Sequence, residues 1–341
     1  MRMKRIYLLI TIILLFFVAV FSSCSVNNGR NVKIGFLIHA TTSSRWQMDI
    51  AYVKERASEI GATIILKDAL GDENLQLKQA SELIDEGVDA IIVVAANQNT
   101  AAGIVRDAHK ANVPVIGYDR LIKNSDLDYL VSFEYEKVGA LMVEYMFDKL
   151  DKGNFVMLWG DALDANALMV KNGIEKAIAS NHKSSQFNLV YKTFVSDWSY
   201  KNANHIMKDV LAFSPEKIDA VIACNDPLGI GAFDALIENG YQPGEVIITG
   251  QDATLEFLHS MLSDGMTMSV AKPIKELAYG AVDLVAGLIK TGKAEGFDSR
   301  VNNGRKDVPA KLFSPLSVDK SNFENELIES GVFTREQVFK N

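Results

Sequence analysis

Short apolar runs alternate with longer amphipathic segments along most of this chain. Val32-Lys-Ile-Gly-Phe-Leu-Ile38 reads as a strand, Trp46 to Ile60 has helical spacing, and Thr63-Ile-Ile-Leu66 reads as a strand again. The spacing then predicts a helix over Leu75 to Glu86, a strand over Asp89 to Ala95, a helix over Asn99 to Ala111 and a strand over Val113 to Tyr118. Continuously apolar strands separated by helices imply βαβ units and a parallel sheet covered on both faces. The cadence restarts near Asn154-Phe-Val-Met-Leu158 and runs to about Val270. The expectation is an α/β chain with two similar, doubly wound parallel-sheet lobes, and 341 residues suffice for two such cores.

The two halves echo each other. Asp89-Ala-Ile-Ile is followed by Asn97, a helix, Val115-Ile-Gly117 and Asp119. Asp219-Ala-Val-Ile is followed by Asn225, a helix, Ile247-Ile-Thr-Gly250 and Asp252. Ligands of open parallel sheets sit at the carboxyl ends of the strands. Two facing sheets would therefore point an Asn and an Asp from each lobe into one shared cleft.

The N-terminus adds a location. Arg2, Lys4 and Arg5 precede an apolar run from Ile6 to Phe21, and Ser22, Ser23 and Cys24 follow. That is the layout of an export signal, with a run shorter than the ~20 residues of a comfortable spanning helix. A cysteine at this junction points to a lipoprotein whose Cys24 is lipidated after cleavage. Phe21 is bulky for that position, so an uncleaved N-terminal anchor is the alternative. Either way residues 1–24 hold the body at a membrane outside the cytoplasm. With Cys24 modified, Cys224 has no disulfide partner and reads as a small core residue. The formal charge of −8 argues against a nucleic-acid surface.

The candidate chemistry is polar and aromatic. Asp119 and Arg120 end one strand and Asp252 another, a position where carboxylates also cap helices. Vicinal sugar hydroxyls donate and accept together, and Asp, Asn and Arg match such pairs bidentately. Asp119, Arg120, Asn166, Asn225 and Asp252 are of those types. Flat aromatic rings cover the C–H faces of a sugar, and Trp46 and Trp198 lie in polar segments (Ser43-Ser-Arg-Trp-Gln47 and Ser196-Asp-Trp-Ser199) that suit a platform better than a core. No nucleophile elbow occurs, the five His lack metal-ligand spacing, and no cofactor motif is complete. Gly229-Ile-Gly231 lacks the third glycine of a phosphate cradle and reads as close helix–sheet packing. No enzyme, cofactor or metal is expected.

Nine stretches taken in order resemble the D-xylose-binding proteins of bacterial ABC transporters, within the type I periplasmic binding protein group that includes ribose and galactose binders. They are Arg45-Trp-Gln47, Tyr118-Asp-Arg120, Ser132-Phe133, Glu136-Lys-Val-Gly139, Asp164-Ala-Asn-Ala167, Asn225-Asp226, Gly250-Gln-Asp-Ala253, Lys272-Pro-Ile274 and Asn302-Asn-Gly304 with Lys306-Asp-Val-Pro309. The resemblance implies sugar contacts from Arg45, Asp119 and Arg120 in the first lobe and from Asn166, Asn225 and Asp252 in the second. Trp198 and Trp46 would pack on the ring, and Lys272 would reach it from the hinge side. It further implies three crossings between lobes joined by a hinge, with residues 32–132 and 273–301 in the first lobe and 133–272 and 302–341 in the second. The implied partner is a membrane permease, or alternatively a membrane histidine kinase that reads sugar availability. Ser43-Ser44, Ala165 and Ala271 depart from the family pattern and bear on fine specificity. Two other readings stand further off: a cytoplasmic sugar-responsive repressor, which the export signal and the missing helix-turn-helix oppose, and an extracellular glycosidase.

Overall fold

Two parallel sheets carry the molecule, and their strands come from interleaved parts of the chain. The computed structural model describes residues 31–297 and 299–339. In order, the elements are β1 Lys33–Ile38, α1 Ser44–Glu59, β2 Thr63–Asp68, α2 Glu73–Asp85, β3 Ala90–Val93, α3 Ala102–Lys110, β4 Val115–Tyr118 and β5 Tyr129–Phe133. There follow α4 Tyr135–Lys149, β6 Gly153–Trp159, α5 Ala165–Ser180, β7 Phe187–Phe194, α6 Tyr200–Phe213, β8 Ala220–Ala223, α7 Asp226–Glu238 and β9 Ile247–Gln251. The remainder is α8 Leu255–Leu262, β10 Met268–Ala271, α9 Ile274–Thr291, β11 Ser299–Asn302, β12 Asp307–Phe313, β13 Leu316–Val318 and α10 Arg335–Val338.

The first sheet has the order β11-β12-β5-β4-β3-β1-β2, and the second β13-β10-β9-β8-β6-β7. All pairings are parallel except β11 with β12 and β13 with β10. Central strands such as β3 and β8 are buried along their whole length, as their Ala/Val/Ile composition requires when helices cover both faces. From Val32 onward the described residues form one compact unit.

The third passage between sheets lies later than the boundary at 301/302. β12 pairs in parallel with β5 through Ala310↔Leu130 to Phe313↔Phe133, and β11 pairs with β12. Both strands belong to the first sheet, so the chain leaves it only between Phe313 and Leu316. The physical reason is an open edge: β5 would otherwise expose a full row of backbone donors and acceptors.

Other expectations resolve locally. Cys224 is fully buried, and burial pushes its thiol up to about 12. A Cβ on Gly229 would lie 3.0 Å from the Thr249 carbonyl of β9, the expected close helix–sheet contact. Gly231 instead admits the Tyr200 carbonyl at the start of α6, so this half of the pair serves helix–helix packing. Cys24 and the apolar run before it lie outside the described residues. Among the described residues no helix is long and apolar enough to cross a membrane.

Candidate sugar site between the lobes

The polar residues at the strand tips meet in one cavity of about 150 Å³. All nine residues singled out from the sequence line it: Arg45, Trp46, Asp119, Arg120, Asn166, Trp198, Asn225, Asp252 and Lys272. Each is delivered by the same device, a turn at the carboxyl end of a strand. Arg45 and Trp46 open α1 after β1, Asp119 and Arg120 follow β4, and Asn166 lies in the first turn of α5 after β6. Trp198 follows β7, Asn225 caps α7 after β8, Asp252 follows β9 and Lys272 follows β10.

Asp119 is the junction of the site. Its backbone turns left-handed, φ 64°, which Asp tolerates better than most residues. One carboxylate oxygen accepts from Tyr135 Oη at 2.7 Å and Asn166 Nδ2 at 2.6 Å, and the other from Arg45 Nη2 at 2.9 Å. Burial by itself would raise this carboxyl. The charges of Arg45 and Lys272 and the bonds from Tyr135 and Arg45 outweigh it and hold the group down at about 2. Arg120 Nε lies 2.9 Å from Asp164 Oδ2, and its Nη1 donates to the Ala95 carbonyl.

Asp252 occupies the equivalent place in the second lobe, also with positive φ (99°). Lys272 Nζ stands 2.9 Å from its Oδ1 and Arg45 Nη1 4.0 Å away, yet this buried oxygen receives no aligned hydrogen bond. Asn166 Oδ1 and Gln251 Oε1 are likewise buried acceptors without a donor. Buried polar atoms are costly when unpaired, so two open acceptors beside a carboxylate held by cations suit a ligand that donates O–H groups.

The aromatic residues divide the labour. Trp46 is nearly buried beneath two guanidinium groups, with Arg45 Cζ 4.5 Å and Arg120 Cζ 5.7 Å from its ring centre, a cation–π arrangement that fixes both cations. Trp198 stays partly open and lies against Gly160, where any Cβ would strike the indole at 2.2 Å. The glycine is therefore what lets the ring lie flat on the backbone.

Sequence reasoning missed several lining residues: His39, Tyr135, Asp164, Gln251 and Pro227 among them. Gln251 directly precedes Asp252, and His39 directly follows β1, so the strand-tip rule would have found both. Tyr135 carries no such signal, since an aromatic opening a helix reads as core. Asn97, expected to mirror Asn225, does not line the cavity. Its side chain accepts from the amides of Asn99 and Thr100 and so serves its own loop.

Burial, then Arg120 and Arg45, push His39 well below its ordinary value despite the pull of Asp119, so it is neutral at physiological pH. Three cations (Arg45, Arg120, Lys272) face the carboxyls of Asp119, Asp164 and Asp252, with exposed Asp197 as a fourth carboxyl at the rim, a near balance that suits an uncharged ligand. A volume of about 150 Å³ lies well below the ~300–1,000 Å³ of drug-sized pockets and matches one small polyol.

Residues 34–294 match the periplasmic binding protein domain. The chain belongs to the periplasmic binding protein family. Its place there makes it an extracytoplasmic solute-binding protein rather than an enzyme. It is 34% identical over 320 residues to the D-xylose-binding periplasmic protein of Haemophilus influenzae, covering 94% of this chain and 95% of the relative. The D-xylose-binding periplasmic protein of Escherichia coli is 34% identical over 304 residues, covering 89% and 92%. Among solved structures, an ABC transporter solute-binding protein from Clostridium phytofermentans with bound β-D-glucose superposes with a TM-score of 0.84. It is 28% identical, over 90% of this chain and 99% of that one.

Proposed function

We propose that this protein binds D-xylose, or a close monosaccharide, between its lobes and presents it to a membrane permease for ABC-type uptake. The observation that carries the reading is the convergence of Arg45, Asp119, Arg120, Asn166, Asn225 and Asp252 on one cavity of monosaccharide size. The naming of two 34% identical relatives supports xylose over other sugars. Asp119, Arg120 and Arg45 take hydroxyls from one side, and Asn166, Asn225, Asp252 and Lys272 from the other. Trp198 and Trp46 cover the ring faces.

The sugar acts by differential contact. It bonds both lobes at once only when they are closed, so it shifts the population toward the closed form. Closure removes water from the polar pairs, strengthening them, and joins surfaces of both lobes into one face that a membrane partner reads. The solved relative described as an ABC transporter component favours a permease over a sensor kinase as that partner. Lipidation of Cys24, or retention of the N-terminal run, keeps the body at the membrane. Calorimetric titration of the detergent-solubilised full-length protein with pentoses and hexoses tests the reading. Micromolar or tighter D-xylose binding, about −8 kcal/mol or more, is expected; no heat with any aldose removes it.

A further inference from the structure

Asp49 lies one helical turn beyond Arg45 on α1 and is completely buried, yet it lines no part of the cavity. It grips the same guanidinium that reaches Asp119. Arg45 Nε stands 2.9 Å from Asp49 Oδ2 as an ion pair, and Nη2 donates to Oδ1 at 3.3 Å. Tyr118 Oη donates to that same Oδ1 at 2.5 Å, locking the carboxyl to the end of β4. The fork is thus clamped on its Nε side by Asp49 and on Nη2 by Asp119, which leaves Nη1 directed toward Asp252.

We propose that Asp49 is a positioning residue for the sugar site, acting through Arg45 to hold Nη1 where a ligand hydroxyl meets it. The inference rests on the sugar-binding reading above. A carboxylate beneath a binding arginine fixes its rotamer before ligand arrives, so less freedom is lost on binding. Arg45 also accounts for why a carboxyl is tolerated here, because a buried charge needs a partner.

The clamp has a titratable component. The groups facing Asp49 are Arg45 on its own helix, Tyr118 and Asp119 at the end of β4, and Lys272 beyond β10. Burial raises Asp49 to about 7, with Asp119 adding to it and Arg45, Tyr118 and Lys272 opposing. Above that value Asp49 is ionised and grips Arg45. Below it the carboxyl is neutral and the ion pair is lost. His39, which lines the cavity and would ordinarily titrate nearby, is already neutral. Asp226, raised to about 8, is common to the unaltered protein and the Asp49 variant, so the difference between their pH profiles reports Asp49.

The experiment is calorimetric D-xylose titration of the detergent-solubilised full-length protein between about pH 6 and 8.5, with Asp49→Asn, Arg45→Gln and the double variant. The unaltered protein gains affinity as pH rises through about 7. Asp49→Asn binds about tenfold more weakly at the upper end, shows no such gain, and converges with the unaltered protein on acidification. The double variant binds no more weakly than Arg45→Gln alone. Unchanged affinity in Asp49→Asn, an unchanged pH slope, or losses that add independently overturn the proposal. If Asp49→Asn does not fold, Tyr118→Phe decides, because losing that donor moves the pH midpoint upward, and an unmoved midpoint overturns it. Absence of sugar uptake by the unaltered protein is a separate result, which removes the binding reading itself.

Discussion

Asp119 and Asp252 hold the same station in the two lobes and do different work. Both follow a strand, both turn left-handed, and both donate their backbone amide to a carbonyl of the neighbouring strand, Val131 and Val270. Asp119 is nearly inaccessible and its oxygens accept from Arg45, Tyr135 and Asn166. The last two lie after the chain has crossed into the second lobe, so Asp119 ties the lobes together. Asp252 is held through Oδ1 by the cations Lys272, at 2.9 Å, and Arg45, at 4.0 Å. Asp119 already holds three protein donors and has room for little beyond one ligand hydroxyl, while Asp252 is held by cations and has more capacity for the ligand. Equal placement does not mean equal role.

The comparison breaks most sharply at Asp119. Asp119→Ala leaves Arg45 in the interior with less compensation and strands Tyr135 and Asn166, so chemical denaturation is expected to show a loss of about 3–5 kcal/mol. Asp252→Ala removes the partner of the buried Lys272 ammonium but strands no hydroxyl or amide, so it is expected to cost less stability, about 1–3 kcal/mol, and to weaken D-xylose binding by about 2–5 kcal/mol in calorimetry. Similar effects of the two variants on stability would erase the distinction drawn between them.

A smaller effect per pH unit comes from Asp226, behind Asp252. Burial and then Asp252 push it up to about 8, against bonds from Ser269 and Thr254. Because the folded value exceeds the ordinary 3.8, the folded protein keeps a proton that the unfolded chain has released. That contribution is complete below about 3.8 and is lost as pH rises through about 8. Denaturation curves are expected to lose on the order of 1 kcal/mol per pH unit across this window, and Asp226→Asn to flatten the slope. The smallest effect belongs to the rim, where Ser44 Oγ donates to Glu256 across the cleft at 3.2 Å. Ser44→Ala is expected to change affinity and stability by no more than about 0.5 kcal/mol, since exposed polar pairs contribute little.

Much of this was legible because one rule links sequence to site. Apolar runs such as Ala90–Val93 and Ala220–Ala223 announce buried parallel strands, and polar residues at their carboxyl ends announce the cleft. The rule overreached at Asn97, where an identical residue after an equivalent strand is consumed by its own loop. It was silent on Asp49, since a carboxylate four residues after an arginine on a helix is ordinarily a solvent-facing pair. Only the burial of this face of α1 and the hydrogen bond from Tyr118 at the end of β4 turn it inward. It was equally silent on β12. That strand alternates in burial, and its partner lies about 180 residues upstream, a pairing that no local pattern encodes.

That distant pairing has a consequence for how the chain is made. Strand β5 acquires its outer neighbour only when residues 307–313 exist, and the helix packed beside it, α9, arrives only at 274–291. Neither half is a contiguous cassette, so a chain emerging from a ribosome or secretion channel cannot finish its first lobe until nine-tenths of its length has passed. A protein that works outside the cytoplasm gains from this order, since its chain stays threadable until translation is almost over.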